Sequence, residues 1–381
     1  MSAGERAHGR RGVDPAGARA ARLARDLGEL GVDALLVDSL VGVRYLTGFT
    51  GSNGLALVVA VEAGARLGAH RFLSDFRYAT QSAEEVSESF MREIVSGELL
   101  EALAAELVDM GGRLGFDDAA LTVKRHAQLA QLLGPGWELV PCAGAVERLR
   151  AVKDAVEIAR IRAACELADE ALRGVLEDGL VGRSEREVAL ALELRMRRLG
   201  AQAPSFPSIV AAGAHGALPH AQPLEEPIPR DVLVTIDWGA LHEGYCSDCT
   251  RTYATGENIS AQAREIYELV LAAQEAGVAA VKAGPSGKDV DAVARELIEQ
   301  AGHGEHFGHG LGHGVGMEIH EGPRLSRTAG EEPLRAGNVV TVEPGVYLPG
   351  VLGVRIEDLL VVGEDRREVL TGLSKGLTVV A

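Results

Sequence analysis

His306-Phe307-Gly308-His309-Gly310-Leu311-Gly312-His313-Gly314-Val315-Gly316-Met317-Glu318-Ile319-His320 is the stretch whose reading decides the fold. Its four histidines stand three, four and seven residues apart, and glycine takes every second position from Gly308 to Gly316. A helix here would be costly, because each interior glycine loses about 1 kcal/mol against alanine. The stretch therefore reads as extended or looped backbone that admits something close to it. The bland alternative is a flexible Gly/His linker or an adventitious metal-binding tract. Phe307, Leu311, Val315, Met317 and Ile319 are interleaved throughout and speak against a linker. The stretch is read as a site, and the rest of the chain must supply its partners.

Those partners lie in strands on either side. Val232–Gly239 is a β-branched run that carries Asp237, and the Glu243-Gly244 turn returns the chain through Tyr245 to Asp248. This is the pattern of a hairpin that puts Asp237 and Asp248 on neighbouring strands. Val339–Gly345 ends at Glu343 with Pro344 as its stop, and Gly353–Val362 carries Glu357. A carboxylate in a buried strand is expensive unless it is paired or bound to a metal. Any one of these acids alone reads as half of a salt bridge. Four acids and a glycine-flanked histidine in one region read as a metal centre. The four carboxylates carry -4, which two divalent cations balance and one does not. Two such ions would acidify a water held between them and make it a nucleophile. An oxygen-rich shell with one imidazole suits Mn²⁺, or Co²⁺ or Zn²⁺ by availability.

Composition bounds the rest. A chain of 381 residues is long enough for two domains with real cores. The net charge of -17 argues against nucleic acid and against an anionic membrane surface. No run of about 18 apolar residues is present, so no membrane span is expected. Residues 1–13 read as a disordered tail; they are basic and glycine-rich, without the apolar core of a secretory signal. Four cysteines fit a reducing cytosol better than a disulfide scaffold. Cys246 and Cys249 form a lone C-x-x-C, a poor zinc site, and a structural role is expected. A thiol so close to Asp248 raises the expectation of sensitivity to oxidation or soft metals.

Ahead of the acids, helical spacing over Asp14–Gly31 precedes strands at Val32–Val37, Leu55–Val59 and Arg71–Asp75, with short strands at Arg113–Phe116 and Glu138–Val140. Tyr45–Gly54 reads as a turn-rich loop. Strands alternating with helices give an α/β domain over residues 14–148. No catalytic constellation lies within it. Near Arg148 the texture changes to long charged helices, and Ser184-Glu185-Arg186-Glu187 fits a capping box. A second domain therefore spans residues 149–381, with helices over Ala261–Ala283 and Asp289–Gly302.

Five motifs in order now carry a resemblance: Ile236-Asp237-Trp238-Gly239, Ser247-Asp248-Cys249-Thr250-Arg251-Thr252, His309-Gly310-Leu311-Gly312-His313, Glu343-Pro344-Gly345 and Arg355-Ile356-Glu357-Asp358. The chain resembles the pita-bread metallopeptidases, in the branch of Xaa-Pro aminopeptidase (aminopeptidase P) and Xaa-Pro dipeptidase (prolidase). Tyr45-Leu46-Thr47-Gly48-Phe49 and Ser74-Asp75-Phe76-Arg77-Tyr78 resemble its creatinase-type N-domain. The resemblance implies an α/β N-terminal domain followed by an α+β pita-bread catalytic domain, a homodimer and a cytoplasmic enzyme. It implies that Asp237 chelates one metal, Asp248 and Glu357 bridge two, and His313 and Glu343 complete the second. His220 and His320 match histidines that bind substrate and stabilise the tetrahedral intermediate. His309 matches a partner near the substrate, and Arg355 a donor that holds the acids. His215, His242, His303 and His306 match no family ligand and are expected on the surface or in loops.

The expected activity is removal of the residue preceding proline from a peptide with proline at its second position. Prolidase, limited to dipeptides, is the alternative, with Arg324 as candidate for the proline carboxylate. Other C–N hydrolases on this fold, such as ectoine hydrolase-like enzymes, remain open. Creatinase works without metals and fits less well. A non-catalytic pita-bread binding module would be expected to have lost ligands, and all five are present here.

Overall fold

The structure, a computed structural model, describes residues 14–381; the expected tail of residues 1–13 lies outside the described residues. The described residues divide into two compact units, residues 14–149 and 150–381.

The first unit is built on a six-stranded mixed sheet. In spatial order its strands are Phe90–Val95, His70–Asp75, Leu55–Val59, Ala34–Val37, Gly112–Phe116 and Trp137–Pro141. Ala34–Val37 sits at the centre with all four residues buried, antiparallel to Leu55–Val59 and parallel to Gly112–Phe116. A strand buried on both faces reads as an unbroken apolar run, and Ala34-Leu35-Leu36-Val37 does so. The expected loop at Tyr45–Gly54 begins instead as the last turn of a helix, Leu40–Thr47. Ser39 caps its start by accepting from the Gly42 amide, and Gly48 ends it with φ 85°. Gly42 inside this short segment obscured its periodicity. Phe90–Val95 also escaped notice, because only Phe90 of its six residues is buried.

The second unit holds the long helices Ala155–Glu177, Glu185–Leu199, Ala261–Ala280 and Gly287–Gln300 against several small sheets. Asp154, Ser184 and Ser286 each make a reciprocal capping box, which fixes where three of these helices begin. Leu233–Trp238 is the central strand of one sheet, antiparallel to both Ile209–Ala212 and Cys249–Ala254. Gly312–Gly314 lies between Glu321–Leu325 and Val339–Val342 in another, which continues to Asp358–Val362. The run expected as one strand over Gly353–Val362 is two. Leu352–Arg355 pairs with Gly345–Leu348, and the chain then breaks at Ile356-Glu357 and joins a different sheet. The break frees Glu357 from strand pairing, and its amide donates to the Thr250 carbonyl at 3.1 Å. Glu243 and Gly244 have φ of 47° and 81°, the left-handed pair that a tight two-residue hairpin turn demands.

The alternating glycines have a physical cause. A Cβ on Gly312 would fall 2.0 Å from the Thr341 carbonyl oxygen, and one on Gly314 2.2 Å from that of Gly322. The close neighbour admitted by these glycines is therefore the backbone of the flanking strands. Among the described residues, no helix is long and apolar enough to cross a membrane.

Candidate metal centre

Four separate segments bring acids to one place. Asp237 is the fifth residue of Leu233–Trp238 and lies opposite Thr250 in the ladder. Asp248 immediately precedes Cys249–Ala254, and Glu357 immediately precedes Asp358–Val362. Asp237, Asp248 and Glu357 each offer a carboxylate oxygen within 4.8 Å of the others. His313 Nε2 lies 3.6 Å from Asp248 Oδ2 and 3.3 Å from Glu343 Oε1. All five residues of the expected ligand set thus converge.

Strand alternation explains which neighbours serve the cluster. Asp248, Thr250 and Thr252 share one face, and Cys249 and Arg251 the other. Thr250 Oγ1 donates to Glu357 Oε2 at 2.7 Å and accepts from Arg355 Nε at 3.1 Å. Arg355 Nη2 reaches Asp237 Oδ2 at 2.7 Å, and its Nη1 donates to the Tyr347 hydroxyl at 2.8 Å. His309 Nδ1 donates to the Gly310 carbonyl at 2.7 Å, which leaves Nε2 to accept from Tyr347 at 2.9 Å. His313 Nδ1 likewise donates to the Gly314 carbonyl at 3.1 Å, so Nε2 is the ring nitrogen that faces the acids. Thr250 and Tyr347 were missed in the sequence. Thr250 had a signal, standing two residues beyond Asp248 on the same strand face. Tyr347 had none, since it reads as an apolar hairpin residue.

The electrostatics set these acids against one another. Burial pushes the Asp248 carboxyl well up, and Glu357, Asp237 and Glu343 push it further. Burial likewise drives Glu357 well up, with Glu343 and Asp237 adding to it, and raises Asp237 against the pull of Arg355. Glu343 goes the other way: burial works to raise it, but the hydrogen bond and charge of His313, with His309 and Arg355, together hold it at about 2. Asp237 Oδ1 and Glu357 Oε1 are buried with no hydrogen-bond partner. Buried carboxylate oxygens without donors are costly, and cations are what satisfy several at once. The donor set therefore fits divalent metal ions. Asp358, next to Glu357, is a contrasting case. Burial works to raise it, yet Arg251 and Lys375 at 2.8 and 2.7 Å hold it low as a structural ion pair.

The remaining histidines separate by position. The His320 ring centroid lies 4.4 Å from that of His313. Burial, then the charge of His313, pushes its pKa down, and His220 and Arg324 also act on it. His220 is exposed on the turn after Leu218-Pro219. His215, expected as a plain surface or loop residue, is held at 2.8 Å by the buried Glu185, which also accepts from the Ala212 and Leu224 amides. Cys246 and Cys249 are both buried free thiols. Burial pushes Cys246 up to about 12 and Cys249 well up, so neither offers the thiolate on which oxidation and soft-metal binding depend. The expected thiol sensitivity is thus opposed by burial.

Comparison with known proteins agrees with this arrangement. Residues 159–364 match metallopeptidase family M24, and residues 19–152 match the creatinase/prolidase N-terminal domain. The chain is 42% identical over 362 residues to a peptidase of Bacillus subtilis known as YqhT, covering 94% of this chain and 99% of that one. It superposes on an Xaa-Pro dipeptidase from Bacillus anthracis with a TM-score of 0.90 and 38% identity, covering 96% and 99% of the two chains. An X-Pro aminopeptidase from Thermotoga maritima gives a TM-score of 0.85 and 34% identity, covering 95% and 100%. The chain belongs to metallopeptidase family M24: it is a hydrolase with a creatinase/prolidase N-terminal domain ahead of a pita-bread catalytic domain.

Proposed function

We propose that this chain hydrolyses the bond between an N-terminal residue and a following proline, using two divalent metal ions, Mn²⁺ foremost. The observation that carries the reading is the buried cluster of Asp237, Asp248 and Glu357 with its two unpartnered carboxylate oxygens. Asp237, Asp248 and Glu357 would hold the ions, with His313 and Glu343 completing the set. Bound there, such ions polarise a carbonyl and acidify a water. Names of relatives support proline specificity, since both an Xaa-Pro dipeptidase and an X-Pro aminopeptidase share this fold at over 30% identity.

The chain's own residues do the rest. Arg355 and Thr250 fix the orientations of Asp237 and Glu357 through hydrogen bonds of 2.7 Å each. His320, whose pKa burial pushes down, would present a neutral imidazole to stabilise charge developing on the scissile carbonyl. His220, which acts electrostatically on His320, would contact substrate. His309 and Tyr347 hold Arg355 in place from behind.

A dipeptidase reading is favoured by one further observation. Arg324 lies opposite His313 in the ladder and acts electrostatically on His320. A guanidinium there suits the free carboxylate of a C-terminal proline. The discriminating experiment pairs an Xaa-Pro dipeptide with the same sequence extended by two residues, on Mn²⁺-loaded protein. Cleavage of the longer peptide establishes an aminopeptidase. Cleavage of the dipeptide alone, weakened in Arg324→Gln through KM, establishes a prolidase. Inactivity on both with metals bound would overturn the proline reading.

A further inference from the structure

His303 and His306 lie outside the centre described above and have no part in it. A single 3-10 turn, Gly304–His306, follows helix Gly287–Gln300, and the His306 amide donates to the His303 carbonyl at 2.9 Å. In such a turn the side chains at i and i+3 eclipse one another. The two Nδ1 atoms are accordingly 3.3 Å apart. Two nitrogens bound at about 2.0–2.1 Å to one tetrahedral ion stand roughly 3.3–3.4 Å apart. The pair is already spaced as a bidentate ligand.

We propose that His303 and His306 form a second, peripheral metal site for an imidazole-preferring dication: Zn²⁺, Cu²⁺ or Ni²⁺. In the ion's absence one Nδ1 donates to the other. Binding needs both Nδ1 lone pairs, so the shared proton moves to the Nε2 of its own ring. Glu299 stands beside the turn between them: a Cβ built on Gly304 would fall 2.8 Å from Glu299 Cγ. An open cleft of about 560 Å³ adjoins the turn, lined by Glu299, Glu305, His306 and Arg327. Among the described residues, three or more donors within reach of one ion occur only at Asp237, Asp248 and Glu357. The peripheral site thus offers two protein nitrogens, with water or a reoriented Glu299 filling the remaining positions. Its chemistry differs from that of the oxygen-rich centre. Two imidazoles follow the order that favours Cu²⁺, then Ni²⁺ and Zn²⁺, over Mn²⁺. The site would therefore fill with a different metal from the one in the buried centre.

The test uses untagged protein with its buried centre loaded with Mn²⁺. Immobilised Ni²⁺ on a chelating resin reaches surface imidazoles and not the buried acids. The parent is expected to be retained, and His303→Gln and His306→Gln are each expected to elute early, while His242→Gln behaves as the parent. In solution, Zn²⁺ competition against a chromogenic chelator should show one extra ion on the parent, bound at least about tenfold more weakly by either single variant because the second donor no longer closes the chelate. Unchanged thermal melts and unchanged hydrolysis in both variants would show that the fold and the main centre are intact. A parent that flows through the resin, or variants retained like the parent, would overturn the proposal. Its failure would leave the reading of the buried centre untouched, because no residue is shared.

Discussion

Thr250 shows how one side chain organises the centre. Its hydroxyl donates to Glu357 Oε2 and accepts from Arg355 Nε, while Arg355 holds Asp237. One hydroxyl therefore links two of the three clustered acids through a buried guanidinium. Thr250→Val keeps the β-branched shape and removes both bonds. Metal affinity is expected to fall about 10–100-fold, as for other partners that orient metal ligands, with the fold retained. Calorimetric titration of metal-free protein with Mn²⁺ measures this; an unchanged affinity would show that the hydroxyl does not orient Glu357. At this scale the sequence was most informative about charged and imidazole side chains. An acid among β-branched neighbours announces a cost that something must offset, so Asp237, Asp248, Glu343 and Glu357 stood out. Tyr347 did not, because a tyrosine in an apolar hairpin carries no such signal, and its hydrogen bonds come from residues 38 positions back and 8 positions on.

At the scale of elements, strand and helix termini position the chemistry. Asp248 and Glu357 each sit one residue before a strand, where the backbone leaves the ladder and the side chain is free to turn inward. The segment Met317–Glu321, which carries His320, is anchored by a buried charge cluster. Arg150 donates to both Glu318 and Glu321, and Lys153 Nζ lies 3.3 Å from Glu321 Oε2. Burial works to raise the Glu321 carboxyl, yet Lys153 and Arg150 outweigh it and hold it below the usual range. A carboxyl with a depressed folded-state pKa contributes stability above its unfolded value of about 4.3. That contribution is lost as pH falls through the depressed value. Glu321→Gln is thus expected to cost about 3 kcal/mol at pH 7 by removing the carboxylate that Lys153 and Arg150 share. The difference from the parent should shrink steadily below about pH 4. Urea unfolding at pH 7 and at pH 3.5 checks the sign; an equal difference at both would contradict it. The helix after Ser184 was legible because a capping box announced it. The helix Leu40–Thr47 was hidden by Gly42, and the split at Ile356-Glu357 was invisible because the apolar pattern runs on across a change of sheet. The glycine periodicity was legible as close approach, but only the folded chain shows that the approaching group is the Thr341 and Gly322 backbone.

At the scale of the molecule, the acids that define the centre belong entirely to the second unit, residues 150–381. Without cations this unit carries buried carboxylates that repel one another and two oxygens with no donor. Ions that bind only the folded state stabilise it by mass action, about 2.7 kcal/mol at a hundredfold excess over Kd. Calorimetry with and without a chelator is expected to lower the melting of the second unit by several degrees and to leave that of the first unchanged. Equal shifts in both units, or none, would contradict a centre confined to the second. The change in texture near Arg148 was legible, because sheet-forming alternation gives way there to long charged helices. The mixed direction of the first unit's sheet was not, since strand pairing depends on contacts that local pattern does not encode.

On the proposed function, the acids around Asp248 hold the ions that make this chain a proline-directed peptidase. The measurement that tests it most directly is metal content and Xaa-Pro hydrolysis on the same preparation, for the parent and Asp248→Asn. The parent should carry two Mn²⁺ per chain and cleave. Asp248→Asn should lose metal, and its kcat/KM should fall at least about 10³-fold, equivalent to about 4 kcal/mol of transition-state stabilisation. A correctly folded Asp248→Asn that cleaves as the parent does, or a parent whose activity survives removal of all metal, would contradict the account.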